Sequence, residues 1–184
     1  MKTRLEAAAE IRQQIWKELG RATQDRHHDW RTPVLASAGD AGWPDARTVV
    51  LRQVRAEQQQ LGLFTDRRSP KVTQLRQQAQ AMLVFWSPRL GWQLRVRLCL
   101  SVVDEGPEVQ AIWQGLQHSA AAGDYLSPQP PGTPLTTNDP LATSATPQLA
   151  LLQGQVIELD WLELSREGHR RARLVAQDWT WITP

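Results

Sequence analysis

Two short segments carry the groups that could do chemistry. The first is Arg47-Thr48-Val49-Val50-Leu51-Arg52; the second is Phe64-Thr65-Asp66-Arg67-Arg68-Ser69-Pro70-Lys71. In the second, Thr65 closes an apolar strand, and Ser69 with Pro70 marks the start of a helix. A strand end followed by a helix start presents unpaired backbone N–H groups, two hydroxyls and the Lys71 ammonium. Those are the groups a phosphate monoester needs. A plain capped helix with an exposed lysine fits the same residues. Lys71 is also the sole lysine beyond the first helix, the others being Lys2 and Lys17. In the first segment, Arg47 and Arg52 stand five apart on one expected strand, which puts them on opposite faces. Read alone, that segment is more readily a solvated edge strand than a ligand site.

Other chemistry is sparse. Neither standard Gly-rich phosphate loop occurs, and no Cys/His cluster has metal-ligand spacing. His27 and His28 beside Asp29 read as a surface loop, because adjacent side chains point apart. His118 reads as a favourable cation at a helix C-terminus. Cys99 is alone, which excludes an internal disulfide; it reads as a small core residue, and a lone cysteine fits a reducing cytoplasm. The net charge of +2 is small. The pI of 9.1 follows from how few groups titrate above neutrality. It is therefore no nucleic-acid footprint. No apolar run approaches the roughly 20 residues of a membrane helix, and the opening Met1–Glu6 reads as the lead into a charged helix.

These groups need elements to hold them. The 184 residues suit a single domain. Leu5, Ala8, Ile11, Ile15 and Leu19 have helical spacing over 4–20, with Gly20 as the stop. Strands are expected at Val34–Ser37, Pro44–Val54, Leu61–Thr65, Ala81–Trp86 and Gln93–Val103, with a turn at Gly39–Gly42. Helices are expected at Ser69–Gln78 and Pro107–His118. Residues 123–148 hold most of the prolines and read as a long functional or disordered loop. Strands return at Val156–Leu164, Arg171–Val175 and Trp179–Ile182. Many short strands with inserted helices predict a mainly β fold with flanking helices, closed or partly closed as a barrel.

The order and spacing of these features resemble a known family. Arg47–Arg52, then Phe64-Thr65 with Ser69 and Lys71, then Phe85-Trp86 and Gln93 follow the pattern of the pyridoxamine 5'-phosphate oxidase-like FMN-binding split β-barrel. The likeness covers Pro33 to Val103. Trp161 ten residues before Arg171, with His169 between them, is similar to the family's C-terminal W…H-x-R spacing. Gly123–Gln129 resembles its G-x-W-x-S-x-Q segment.

The resemblance implies FMN as cofactor. Arg47 and Lys71 would hold its phosphate, with Thr65 and Ser69 nearby. The Thr48, Val49, Val50, Leu51 and Arg52 backbone, with Phe64, would lie along the isoalloxazine edge, where Gln93 can both donate and accept. Gln129, Trp161 and Arg171 would complete the pocket. A homodimer sharing each FMN at its interface is implied, as is a cytoplasmic oxidoreductase with a small-molecule substrate. No side chain stands out as a general base.

The departures concern substrate. Ile112 and Leu116 occupy the positions of the family's phosphate-gripping tyrosine and arginine. Pro130 stands where a serine is usual, Glu167 replaces the first arginine of R-x-H-x-R, and a W-G-G-Y-like stretch is absent. Burying a substrate phosphate without those partners would cost several kcal/mol. Two alternatives stay open: a true pyridoxamine-phosphate oxidase using Arg170 or Arg95 instead, or a flavin-binding protein without enzymatic activity.

Overall fold

The computed structural model describes residues 4–134 and 144–184. Among them the order is α1 (Ala8–Gln24), β1 (Val34–Ala38), β2 (Pro44–Thr48), β3 (Leu51–Arg55), β4 (Gln60–Asp66), α2 (Pro70–Gln77), β5 (Gln80–Ser87) and β6 (Trp92–Val103). Then follow α3 (Pro107–Leu116), β7 (Leu149–Glu163), β8 (Arg170–Val175) and β9 (Asp178–Ile182). No helix is long and apolar enough to cross a membrane among the described residues.

All the strand pairings are antiparallel. The sheet runs β2-β1-β5-β6-β7-β4-β3, and β8 with β9 branches from β7. β2 and β3 lie at opposite ends of that path, yet only Val49 and Val50 separate them in the chain. That link spans roughly 10 Å at full extension. The sheet must therefore curl until its ends meet, and covalent chain, not a hydrogen-bonded ladder, joins them.

The strand expected over Pro44–Val54 is thus two strands. A second irregularity follows at once. Leu51 pairs with Leu63 and Gln53 with Gly62, leaving Arg52 as the extra residue of a β-bulge. The parity argument for Arg47 and Arg52 fails, because a break and a bulge intervene.

Alternation along β6 separates the two faces of the sheet. Leu94, Val96, Leu98 and Leu100 are buried with Leu35, Leu83, Phe85, Trp161 and Leu174. Cys99 points the other way and is exposed, so it is not the core residue expected. α1 covers the core with Ile11, Ile15, Leu19 and Ala22, all fully buried. It continues through Gly20 to Gln24. A glycine inside a helix costs about 1 kcal/mol, whereas burying one large apolar side chain contributes about 1.5–3 kcal/mol. Docking of the helix outweighs the stop signal.

His28 is not in a surface loop. It is buried, and its Nε2 lies 2.7 Å from Glu18 Oε2 on α1. Its Nδ1 accepts from the Trp30 N–H, so Nε2 carries the proton toward Glu18.

Gly91, in the β5–β6 turn, has φ +67°, and a Cβ there would lie 2.6 Å from the Leu164 carbonyl oxygen. Only glycine suits that approach. The β7 strand starts seven residues before the expected Val156, because its first half pairs with β4 as well as β6.

Candidate functional site

Arg47 on β2 pairs across to Leu35 and shares its face. From there it reaches toward α2. One Nη donates to Ser37 Oγ at 2.7 Å and the other to Gln74 Oε1 at 3.2 Å. Asp45, two residues before and on the same face, forms an ion pair with Arg47. It also accepts from Gln74 Nε2 at 3.0 Å. The Gln74 bond, with Arg47 adding to it, holds the Asp45 carboxyl below the usual range.

Lys71 stands in the first turn of α2. Its Nζ donates to Thr65 Oγ1 at 3.1 Å and to Ser69 Oγ at 2.7 Å. Ser69 occupies the N-cap position, but its hydroxyl makes no cap bond to the helix; it serves the lysine instead. Burial pushes the Lys71 ammonium below the usual lysine range, and the nearby Arg47 pushes the same way. Asp66 and Asp45 oppose them. A half-buried ammonium with hydroxyl partners, beside a guanidinium, is a cradle built for a multiply charged anion. Two hydroxyls, a point charge and a planar fork fit a dianionic phosphate monoester.

The bulge aims Arg52 at Phe64 and Tyr125. Its guanidinium lies 5.9 Å from the Phe64 ring centroid, and its charge acts on the buried Tyr125 hydroxyl. Burial pushes the Tyr125 hydroxyl above its usual range. Arg52 Nε is buried without a partner among the described residues, a donor left for a ligand. Ile112, Trp113 and Leu116 pack on the same small cluster as Phe64 and Tyr125.

The structure divides the remaining candidates. Arg171, Leu162, Gln93 and Trp86 form one row across β8, β7, β6 and β5. Cross-strand partners share a face, and this one is opposite to that of Leu94. Arg171 is bound to Asp160 at 2.8 and 3.0 Å. Burial pushes the Asp160 carboxyl up, but Arg171 and Arg95 outweigh it and hold it below the usual range.

Trp161 does not join Arg171. It is one residue off in register, faces inward and is 0% exposed, packed edge-on against Trp92 at 5.3 Å. Leu51 is also fully buried, so only its backbone is available. Thr48 is exposed, while Val49 and Val50 form the link between β2 and β3. Gln129 is exposed, and its carbonyl accepts from Ser127 Oγ at 2.8 Å and from Arg68 at 3.3 Å. Ser37, Asp45 and Gln74 were not among the expected site residues. Asp45 shares the strand and face of Arg47, the β1–β2 pairing brings Ser37, and the packing of α2 on β1 brings Gln74.

A curled antiparallel barrel with a cationic, hydroxyl-lined cradle at the start of a helix is a β-barrel that could anchor a phosphate. The family described as "Pyridoxamine 5'-phosphate oxidase, FMN-binding domain" matches residues 13–104, half of the chain. The chain belongs to this family, and its cofactor is FMN.

Solved structures agree. A pyridoxamine 5'-phosphate oxidase-related, FMN-binding protein from Nostoc punctiforme is 27% identical with TM-score 0.75, covering 97% of this chain and all of that one. PhzG from Burkholderia lata, in complex with tetrahydrophenazine-1-carboxylic acid, has TM-score 0.73 at 17% identity, covering 97% and 94%. A relative of general stress protein 26 from Clostridium acetobutylicum has TM-score 0.57 at 10% identity, covering 86% and 93%. The last two share the split-barrel fold. No curated protein sequence matches the chain.

Proposed function

We propose that this chain is an FMN-dependent oxidoreductase, active as a homodimer, whose substrate is not a B6 phosphate. The carrying observation is the cradle: Lys71 on two hydroxyls, with Arg47 beside it. Bound FMN supplies the redox chemistry, while the protein supplies binding, orientation and electrostatics. Lys71, Arg47, Thr65 and Ser69 hold the phosphate. The backbone of Val49–Arg52 offers N–H and C=O groups to the ring edge.

The homodimer is supported by which face each group occupies. Arg47 lies on the inner face with Leu35, whereas Gln93 and Arg171 lie on the outer face of the same sheet. One copy does not turn both sets toward one ligand; two copies do, if the outer face of one meets the phosphate end of the other. That outer face exposes Val34, Trp86, Ile157 and Val175, an apolar content suited to an interface.

The substrate reading follows from the cluster around Arg52. One cation stands there beside Phe64, which packs on the same apolar cluster as Ile112 and Leu116. That suits an apolar substrate with at most one negative charge better than a phosphate dianion. Arg95 and Arg170, the other cations that could grip a substrate phosphate, are committed to Asp160 and to Glu163 with Glu6.

An absorbance spectrum with an FMN titration tests the cofactor assignment in this chain. FMN should raise the melting temperature, as any ligand selective for the folded state does. Lys71→Ala and Arg47→Ala should each weaken FMN by tenfold or more, the scale of one or more charge-assisted hydrogen bonds. Unchanged affinity in both would sink the phosphate assignment.

A further inference from the structure

Arg68 sits inside the phosphate segment, between Thr65 and Ser69, and it does not point at the phosphate cradle. One side of its guanidinium is taken by Asp66: Nε meets Oδ1 at 3.1 Å and Nη2 meets Oδ2 at 2.7 Å. Asp66 also accepts the Arg68 backbone N–H at 2.8 Å, and its side chain is 4% exposed. The carboxylate thus fixes the guanidinium plane. The remaining N–H groups reach three successive carbonyls: Ser127 at 2.8 Å, Pro128 at 3.1 Å and Gln129 at 3.3 Å.

The neighbour Arg67 ties down the other arm of the same loop. Its backbone N–H donates to the Gln148 carbonyl at 2.7 Å, and its Nε to Gln148 Oε1 at 2.9 Å. The two arms are joined to each other by Gln148 N–H to Tyr125 O at 2.8 Å and by Ser144 N–H to Leu126 O at 2.6 Å. Beyond Gln129 the chain turns back over the start of α2. A Cβ on Gly132 would lie 3.9 Å from Pro70 Cγ, and Pro70 separates Ser69 from Lys71. The segment held by Arg68 therefore runs from the buried Tyr125 to the wall of the phosphate cradle.

We propose that Arg68, oriented by Asp66, is a positioning residue of the flavin site: it pins Ser127–Gln129 to the phosphate segment, so that FMN binding and the order of this loop stabilise each other. The inference rests on the FMN reading above. A guanidinium is needed because it presents several donors in a rigid plane. A lysine could keep the ion pair with Asp66 but could not span three carbonyls.

Arg68→Lys separates these roles, since it leaves no buried carboxylate unpaired. In this variant the FMN-free protein should melt as the wild type does, while FMN should dissociate about tenfold faster, the scale of one charge-assisted hydrogen bond. Amide exchange over 126–134 should quicken. In the wild type, FMN should slow exchange over 126–134 and 144–148 together with 65–71. An unchanged FMN off-rate in Arg68→Lys overturns the inference. So does FMN protection confined to 65–71 in the wild type, a measurement that needs no variant to fold. If the wild type takes up no FMN, the functional reading falls and this inference falls with it.

Discussion

Lys71 decides how the site answers to pH. Its ammonium is already pushed below the usual lysine range by burial and by Arg47. A bound dianion favours the charged form and so raises that pKa. Binding therefore takes up a proton wherever free Lys71 is neutral, and affinity falls as pH rises through the lowered value. FMN affinity should decline at an alkaline pH lower than an ordinary lysine would dictate. Lys71→Arg, whose charge does not titrate in this range, should remove that decline. On the acid side a second fall is expected near pH 6, where the phosphate loses its second charge. Titrations of FMN fluorescence at stepped pH read both limbs. A decline that persists unchanged in Lys71→Arg would assign the alkaline limb to another group.

At the scale of elements, α1 is anchored through one carboxylate. Glu18 is 1% exposed and faces His28 at 2.7 Å, Arg89 at 2.8 Å, Gln14 at 2.7 Å and Arg21 at 3.3 Å. Burial pushes its carboxyl up, but His28 and the two arginines outweigh burial and hold it below the ordinary 4.5. A depressed carboxylate pKa contributes stability that is complete above the unfolded value and is lost as pH falls through the folded one. Melting temperature should therefore drop below about pH 4.5 more steeply in the wild type than in Glu18→Gln. At pH 7 the variant should be less stable by about 1.5–3 kcal/mol, the scale of hydrogen bonds to a charged group, because the two arginines are half exposed and stay solvated. Urea denaturation measures it, and a cost under 1 kcal/mol would remove Glu18 as the anchor.

At the scale of the whole molecule, the outer face carries the quaternary prediction. Ile157 is the extra residue of a bulge opposite Arg97 and Leu98, and it is 54% exposed. It stands beside two carboxylates flanked by arginines: Asp160 with Arg95 and Arg171, and Glu158 with Arg97 and Arg173. Placing a charge at the apolar centre of this face should disrupt self-association without touching the phosphate cradle. Ile157→Asp should elute as a monomer in light-scattering chromatography and bind FMN at least tenfold more weakly than the wild type. A monomeric wild type, or a dimeric variant with intact affinity, would each refute the shared-site arrangement.

The amino-acid order alone determined most of the elements and the grouping of Thr65, Ser69 and Lys71, because both are local. Alternation in β6 assigned its two faces. Thr65, Ser69 and Lys71 lie within seven residues, so strand end and helix start bring them together whatever the rest of the chain does.

What lay beyond the sequence depends on register and on long-range partners. Arg47 and Arg52 were placed by parity, which a two-residue link and a bulge cancelled. Gly20 read as a stop, but burial of Leu19 and Ala22 carries the helix onward. Trp161 and Arg171 share a motif, yet sit on opposite faces of the sheet, because ten residues and a turn separate them. Arg68 was passed over because its partners are carbonyls some 60 residues away, and a backbone carbonyl leaves no mark in a sequence. Tertiary structure alone decided which acceptor each basic residue meets, since those acceptors come from other elements of the fold.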